Sequence, residues 1–452
     1  MTDVRGLVRT TRSAATFCLG VSLIANVFFA SSMLDDLNLM LMVGVIALSF
    51  AASTGSSRVI GILLFGSSIA LLLHSQAPLD VWKQALRENS YLIAMFVLVP
   101  LLSIPVQHGG YGESLREVFV RYANTDSRYY ALVSIMAAFV GVLISIAAVP
   151  LTYEVSRASG CNYDEKLLAS ALSRGFITCM IWAPTSATIA LVVQLTGVDW
   201  VAFFPFAIAC ALIAGAVGFL MTFVRDEAEA PMGKIDAGKV VELSAFAFLL
   251  VVSVAATSQL GGLSAIVVVA MASLVFPVAW MAAIGRLPTY AREFRGDYFN
   301  NKLPQSKNQI VLFAGAGFFA QSIGYSHLGD ALVGSLLHMT GQSVLLLTVA
   351  IIGITLATSA VGIHPIAVVA VVGGTMGASQ WGVSPIYLAL VLSISWAMGN
   401  ALCPASANVV AVSDMVGQSP IKVSLRWNGP YVLVATAVLV LVLTMARMGG
   451  LL

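Results

Sequence analysis

Long apolar runs recur along the chain, and they constrain its fold more than any other feature of the sequence. The run from Trp200 to Val224 contains no charged residue, and a membrane-spanning helix needs about 20 mostly apolar residues. Backbone N–H and C=O groups in lipid must find partners within the protein. Hydrophobic residues make up 59% of the sequence and charged residues 10%, whereas soluble domains carry about 25% charged residues. We therefore predict an all-α polytopic membrane protein.

Eleven of these runs have the length of a membrane span. They lie near residues 14–32, 37–53, 58–74, 90–106, 166–197, 200–224, 240–256, 262–284, 309–324, 384–416 and 429–447. Two further stretches, 128–156 and 342–379, are each too long for one span and are broken near the middle by small residues and proline. We predict that each turns back on itself as a re-entrant hairpin that adds no crossing.

The distribution of basic residues supports this topology, because cytoplasmic loops are enriched in Lys and Arg. With the N-terminus inside, 19 of the 23 basic residues fall on the cytoplasmic side, and Lys83, Arg87 and Arg447 fall outside. The remaining one, Arg174, lies within a span. A hairpin that crossed once would invert every later loop and remove this bias. We expect a protein of the cell (inner) membrane with a cytoplasmic N-terminus and an external C-terminus.

A short polar phrase occurs twice at an offset of 220 residues. The first copy is APTSATIALVVQLTG at 183–197 and the second is CPASANVVAVSDMVG at 403–417. Proline and small polar residues interrupt the hydrogen bonding of an apolar helix. Each copy follows one of the two predicted hairpins, and the topology gives the two helices opposite directions. Paired broken helices in inverted repeats are typical of secondary transporters.

The repeat divides the chain into four parts. Residues 1–89 form N-terminal scaffold helices, and residues 90–224 form the first repeat with hairpin 128–156 and broken helix 166–197. Residues 225–308 form a linker with scaffold helices. Residues 309–447 form the second repeat with hairpin 342–379, broken helix 384–416 and a last helix at 429–447.

This order of elements resembles the ion transporter superfamily, especially its divalent anion/sodium symporter branch. The resemblance covers residues from about 90 to 447 and includes the APTSAT and CPASAN loops, with Asn408 at the position of the family's loop asparagine. It implies an elevator-type, cation-coupled transporter that forms a homodimer. The chain lacks the Ser-Asn-Thr triplets that grip dicarboxylates in that branch. Its hairpin tips carry only Ser145, Thr358 and Ser359 in similar places, so a dicarboxylate solute is not implied.

The candidate site residues lie at the hairpin tips and in the two broken-helix loops. Candidates for binding the solute are Ser145, Thr358, Ser359, His364, Thr185 and Ser406, and candidates for ion coupling are Ser186, Thr188, Asn400, Asn408 and Asp414. Hydroxyl and carbonyl oxygens suit a hard cation such as sodium, and a histidine at membrane depth can carry a proton. Each lone hydroxyl can instead bond its own helix.

Two charged residues have open alternatives. Asp414 either binds the coupling ion or proton, or lies near the cytoplasmic surface. Arg174 either extends its side chain toward the cytoplasm or balances the charge of an anion.

The sequence favours a secondary active transporter that moves a small, anionic solute with a sodium or proton gradient. A channel and a membrane enzyme acting on lipid are the alternatives. HExxH, GxSxG and phosphate-loop motifs do not occur in the sequence, which argues against an enzyme. We expect no cofactor other than the coupling ion, no metal other than sodium, and no nucleic-acid partner. The expected partners are the solute, the lipid bilayer and a second copy of the chain.

Overall fold

The computed structural model describes residues 2–158, 164–222 and 237–452, and every regular element in these ranges is helical. Cytoplasmic positions predicted for Arg225 and Lys234 lie outside the described residues. The first eleven helices are α1 (Thr2–Phe29), α2 (Ser32–Ala52), α3 (Gly55–His74), α4 (Leu79–Arg87), α5 (Ser90–Leu98, continued by Val99–Leu102 and Ser103–His108), α6 (Tyr111–Tyr122), α7 (Asp126–Ile144), α8 (Ala148–Ala158), α9 (Glu165–Cys179), α10 (Ala187–Thr196) and α11 (Trp200–Leu220).

Eleven more helices follow in the remaining described residues. They are α12 (Ala237–Gly261), α13 (Ala265–Ala283), α14 (Leu287–Glu293, continued by Phe294–Lys302 and Leu303–Gln305), α15 (Lys307–Tyr325), α16 (Leu328–Met339), α17 (Val344–Ala360), α18 (Ile366–Thr375), α19 (Ala378–Trp381), α20 (Pro385–Leu402), α21 (Ala407–Val416) and α22 (Gly429–Met448, preceded by the π-helical turn Lys422–Asn428). The predicted all-helical class is confirmed.

Within the described residues, ten helical segments are long and apolar enough to cross a membrane. Nine of them coincide with nine of the eleven predicted spans. The predicted span 166–197 is split into α9 and α10, and the predicted span 309–324 is α15, which begins with three polar residues, Lys307, Asn308 and Gln309. The tenth segment, Asp126–Ala158, meets the same criteria although its sequence predicts a hairpin.

The broken helices form the centre of the molecule. The segment Pro385–Val416 has 94% of its most apolar window buried within the protein, whereas the corresponding figure for Gly238–Gly261 is 22%. An outer helix with such exposed apolar faces suits a lipid environment. The chain is an integral membrane protein with the paired broken helices inside.

The chain turns back on itself between α7 and α8. Ser134 on α7 donates a hydrogen bond to the carbonyl of Ala171 on α9 (3.1 Å). Further along both helices, a Cβ built on Gly141 would lie 2.7 Å from Cys179 Sγ. Because later residues of α7 meet later residues of α9, these two helices run parallel. The connection through α8 must therefore return along α7, and the reversal begins at Ser145, whose φ is 51°.

The second long apolar stretch reverses in the same way. The hydroxyls of Thr348 on α17 and Tyr387 on α20 lie 2.9 Å apart. Seven residues later on α17 and twelve residues later on α20, Thr355 Cγ2 lies 3.4 Å from a Cβ built on Gly399. Helices α17 and α20 are thus parallel, so the connection through α18 must return in the opposite direction. Gly362, with φ 94°, lies in the turn.

The two broken helices run in opposite directions past each other. Gln418, just after α21, donates to Glu165 at the start of α9 (3.1 Å). Asn408 at the start of α21 donates to Ser173 further along α9 (3.0 Å). Rising numbers on α9 therefore meet falling numbers on α21. The first helix of each hairpin, α7 or α17, runs parallel to its own broken helix. The two hairpin-and-helix units therefore have opposite orientations.

A close approach between the backbones of α7 and α9 holds the first hairpin against its broken helix. A Cβ built on Gly175 would lie 2.6 Å from Ser134 Cα, so Gly175→Ala must push α7 and α9 apart. We expect the free energy of unfolding to fall by about 1–3 kcal/mol. The matched control is Gly353→Ala, where a Cβ meets nothing within 4 Å. Thermal unfolding in detergent tests this, and equal melting temperatures for the two variants would contradict the packing.

Candidate functional site

The two helix breaks have the same local construction. Ser186 precedes α10 and its Oγ accepts from the Thr188 N–H (3.3 Å), and Ser406 precedes α21 and its Oγ accepts from the Val409 N–H (3.2 Å). Serine is a preferred N-cap because its oxygen accepts a bond from one of the free amides of the first turn. Both helices have ten residues and end at a glycine in the left-handed region, Gly197 (φ 66°) and Gly417 (φ 65°). The doubled phrase thus encodes one element twice.

The tip of the first hairpin contacts the first break. Thr185 Oγ1 donates a hydrogen bond to the carbonyl of Val142, three residues before the predicted tip residue Ser145. Thr185 is buried, and Ser145 is half-buried. The hydroxyl of Thr185 therefore joins loop and hairpin, while Ser145 occupies the turn itself.

The tip of the second hairpin contacts the second break. Cys403 Sγ lies 3.7 Å from the carbonyl oxygen of Ile363, and a Cβ built on Gly399 would lie 2.8 Å from Ser359 Oγ. The equivalent contact in the first unit joins Gly141 on the hairpin to Cys179 on the broken helix. The glycine lies on the hairpin in the first unit and on the broken helix in the second. In both units it allows the hairpin to pack closely against its broken helix.

Three predicted residues of the second unit have local partners. Thr358 Oγ1 donates to the carbonyl of Ile354 in its own helix (2.8 Å). Ser406 Oγ, besides capping α21, donates to the carbonyl of Asn400 (2.7 Å). His364 Nδ1 accepts from the Ile366 N–H (3.3 Å), which leaves Nε2 as the free ring nitrogen for an outside partner.

Four of the predicted residues contain buried oxygens without a hydrogen-bond partner. They are Thr188 Oγ1, Ser359 Oγ, Asn400 Oδ1 and Asn408 Oδ1. Buried polar atoms in folded proteins are nearly always paired, so each exception requires an explanation. No group of three or more His, Cys, Asp or Glu side chains gathers anywhere in the described ranges. The unpaired oxygens are neutral ligands of the kind that coordinate a hard monovalent or divalent cation.

A buried polar network joins the two units where they cross. Ser173 Oγ accepts from the amides of Asn408 (3.0 Å) and Asn428 (3.1 Å). Arg174 donates through Nε to Asn428 Oδ1 (3.3 Å) and through Nη2 to the carbonyl of Trp427 (2.9 Å). One serine hydroxyl thus connects α9, α21 and the turn before α22.

The structure places both charged residues. Arg174 is only 6% exposed, and its Nε and Nη2 donate to Asn428 and Trp427 in the turn before α22. Its extension toward the cytoplasm stays a prediction. Asp414 is exposed and lies on α21 near Gln418, whose amide bonds to Glu165 at the start of α9. This position favours the surface interpretation of Asp414 over ion binding.

Sequence reasoning missed Asn428 and the role of Ser173. The match of Ser173 with Ser393 at the repeat offset was visible in the sequence, but it does not reveal that only the first copy bridges helices. Asn428 precedes the Gly-Pro that begins α22, and a polar residue next to a helix start has an ordinary explanation as a cap. The missing information was which face of the turn meets α9.

The fold is similar to solved transporter structures. The YdaH transporter of Alcanivorax borkumensis, described as having an unusual topology, superimposes with a TM-score of 0.55 at 15% identity, over 92% of this chain and 98% of that chain. MtrF of Neisseria gonorrhoeae, described as illuminating a class of antimetabolite efflux pumps, gives a TM-score of 0.50 at 14% identity, over 84% and 94%. No protein-family profile and no curated protein sequence matches the chain. Likeness at this identity shows the fold.

Removing the Ser173 hydroxyl leaves two buried amides without their common acceptor. We expect Ser173→Ala to lower the free energy of unfolding by about 1–3 kcal/mol for each amide left unpaired. Ser393→Ala is the matched control, because this equally buried serine at the repeat-related position bonds only to the carbonyl of Leu390 in its own helix (3.1 Å). The melting temperatures of the purified variants test the difference. A larger loss for Ser393→Ala would contradict the bridging role.

Proposed function

We propose that the chain is a secondary active transporter that moves a small anionic solute, driven by a sodium or proton gradient. The observation that carries the proposal is the set of four buried oxygens without partners at Thr188, Ser359, Asn400 and Asn408. A neutral oxygen buried without a bond costs about 1–3 kcal/mol. A site that binds a cation only part of the time has these properties, since the ligands must be released again in each cycle.

The two short helices support an anionic solute. Helices α10 and α21 begin inside the protein, behind Ser186 and Ser406, and the N-terminus of a helix carries a partial positive charge. Paired half-helices with N-termini at membrane depth bind anionic groups in secondary transporters. The solute would lie between these N-termini, next to the hairpin residues Ser145, Thr358 and Ser359, with Thr185 and Ser406 as further contacts.

We assign the coupling ion to groups in and beside the two breaks. Ser186, Thr188, Asn400 and Asn408 supply oxygens for sodium, and His364 is the residue that titrates if protons drive transport. Asp414 has a smaller part in this proposal because of its exposed position. No cofactor besides the ion is required, and no enzymatic chemistry is proposed.

Transport by this fold requires the site to face each side in turn. We propose that both hairpins are re-entrant and that the two units move as one body against the N-terminal and linker helices, in an elevator motion. The opposite orientation of the units supports this, because inverted units can exchange roles between the two states. The likeness in fold to YdaH and MtrF adds support, since both are described as transport proteins. A homodimer in the inner membrane with the N-terminus inside completes the proposal.

Uptake into proteoliposomes tests the function. Radiolabelled candidate anions, chosen by a thermal-stability screen with the purified protein, are offered under an imposed sodium gradient or an imposed pH gradient. We expect saturable accumulation that follows one of the gradients and vanishes when the gradient is collapsed. A current proportional to voltage without saturation would indicate a channel and overturn the proposal.

The variant Thr188→Val separates ion coupling from stability. Valine has the shape of threonine without the unpaired hydroxyl, so we expect unchanged or higher thermal stability. The driving-ion concentration for half-maximal uptake should rise about tenfold, which corresponds to roughly 1.4 kcal/mol of binding. Thr436→Val is the control, since Thr436 on α22 also has a buried hydroxyl without a partner but is remote from both breaks in sequence. Equal ion dependence of the two variants would remove Thr188 from the site.

A further inference from the structure

A large apolar cavity lies beside the first unit, away from the second hairpin. It has a volume of about 820 Å³ and is enclosed by α7, α9, α11 and α12. Aromatic side chains contribute much of its wall, including Phe139, Trp182, Trp200, Phe204, Phe219 and Phe248. Cavities of about 300–1,000 Å³ with apolar walls and a few polar groups hold small organic ligands.

The rim of this cavity is apolar and open to the surroundings of the protein. Ile135, Leu212 and Phe248 line it and are 65%, 68% and 71% exposed. Ile135 lies on α7, the first helix of the first hairpin. Leu212 and Phe248 lie on α11 and α12, which are long enough to span a membrane. The opening therefore faces the hydrocarbon of the bilayer, and an occupant that enters through it must be soluble in lipid.

The inner wall contains one charged residue, Arg174. Its guanidinium is 6% exposed and uses Nε and Nη2 for the bonds to Asn428 and Trp427, while Nη1 has no hydrogen-bond partner. The rings of Tyr431 and Tyr130 lie 4.8 Å and 5.9 Å from its central carbon. Among the ion pairs of the described residues, none includes Arg174.

A buried cation without a counter-charge is unfavourable. Aromatic rings offset part of the cost, by about 0.5–2 kcal/mol per contact, but a charge at membrane depth usually pairs with an opposite charge. The unused Nη1 can donate two hydrogen bonds. An anionic oxygen at the inner end of the cavity would meet both requirements of Arg174.

We propose that this cavity binds an amphiphile with a single anionic group, drawn from the membrane. The anionic group pairs with the guanidinium of Arg174, and the apolar body fills the aromatic chamber that opens to lipid between α7, α11 and α12. A free carboxylic amphiphile and an anionic phospholipid share this chemistry. The site is separate from the proposed ion site, because none of the four unpaired oxygens lines this cavity, although Asn428 and Ser173 connect Arg174 to Asn408.

Fluorescence quenching tests the proposal without any measurement of transport. Bromine quenches nearby tryptophans, and Trp182 and Trp200 line the cavity. Delipidated protein in a non-ionic detergent is titrated with dibromostearic acid, with its methyl ester, and with a brominated phosphatidylglycerol. We expect saturable quenching by the acid or the phospholipid, at least tenfold weaker binding of the uncharged ester, and a smaller quenched fraction in Trp182→Phe.

Two variants separate the charge from the cavity. Arg174→Gln should weaken binding of the anionic probes at least tenfold, while Arg426→Gln, an exposed arginine two residues before Asn428, should leave binding unchanged. Gly215→Leu keeps Arg174 intact and fills the chamber, because Gly215 lines it and a Cβ there meets nothing within 4 Å. Gly215→Leu should also weaken binding, and it serves as the test if Arg174→Gln does not fold.

The affinities of the three probes and of the two variants show whether the cavity binds an anionic amphiphile and of which kind. Binding of the acid alone assigns a free carboxylic amphiphile, binding of the phospholipid alone assigns a lipid, and both results support an anion site. Equal affinity for acid and ester, or wild-type affinity in both Arg174→Gln and Gly215→Leu, would overturn it. A failure of gradient-driven uptake would leave these binding results unaffected.

Discussion

Two apolar helices that stop halfway through the protein impose the constraint on which the rest of the structure depends. Each break exposes backbone groups, and unpaired amides or carbonyls away from water cost several kcal/mol. The serines Ser186 and Ser406 cap the amide ends of the two short helices. The hairpin tips lie against the same breaks through the carbonyls of Val142 and Ile363. The hairpins are therefore structural partners of the breaks.

The two repeat units share a local backbone construction but differ in their side chains. Both units keep the cap, the ten-residue helix, the terminal glycine and the close contact between hairpin and helix. Among the candidate site residues, Ser359, Asn400 and Asn408 of the second unit have oxygens without a partner, and Thr188 is the one such candidate in the first unit. The two units thus share a local construction, and most of the candidate residues with unpaired oxygens lie in the second unit.

The local features of the fold could be predicted from the sequence because their causes are local. Proline and serine within an apolar run determine where a helix stops, and Gly197 and Gly417 determine where the short helices end. The segments 128–156 and 342–379 each exceed one span, which is why the sequence predicts that each turns back on itself. By contrast, the orientation of Arg174 and the bridge through Ser173 and Asn428 depend on which faces of distant helices meet, and one sequence contains no direct record of that.

The same limit applies to the individual site residues. Thr358 and Ser359 are adjacent in the sequence and chemically alike, yet one bonds its own helix and the other has no partner. Asp414 is an acidic residue close to a break in the sequence, and it is exposed in the structure. Chemistry identifies which residue types can bind an ion, whereas packing decides which of them remain available.

The central claim is that the breaks border an aqueous path that opens to both sides of the membrane. Ala405 lies in the second break and is exposed, so it offers a direct probe. In a protein whose native cysteines are replaced, Ala405→Cys is reconstituted in sealed vesicles and treated from one side with a membrane-impermeant thiol reagent. We expect labelling from either side, at rates that an imposed sodium or pH gradient shifts in opposite directions. No reaction with the impermeant reagent from either side, together with labelling by a lipid-soluble reagent, would place the break in lipid and contradict the account.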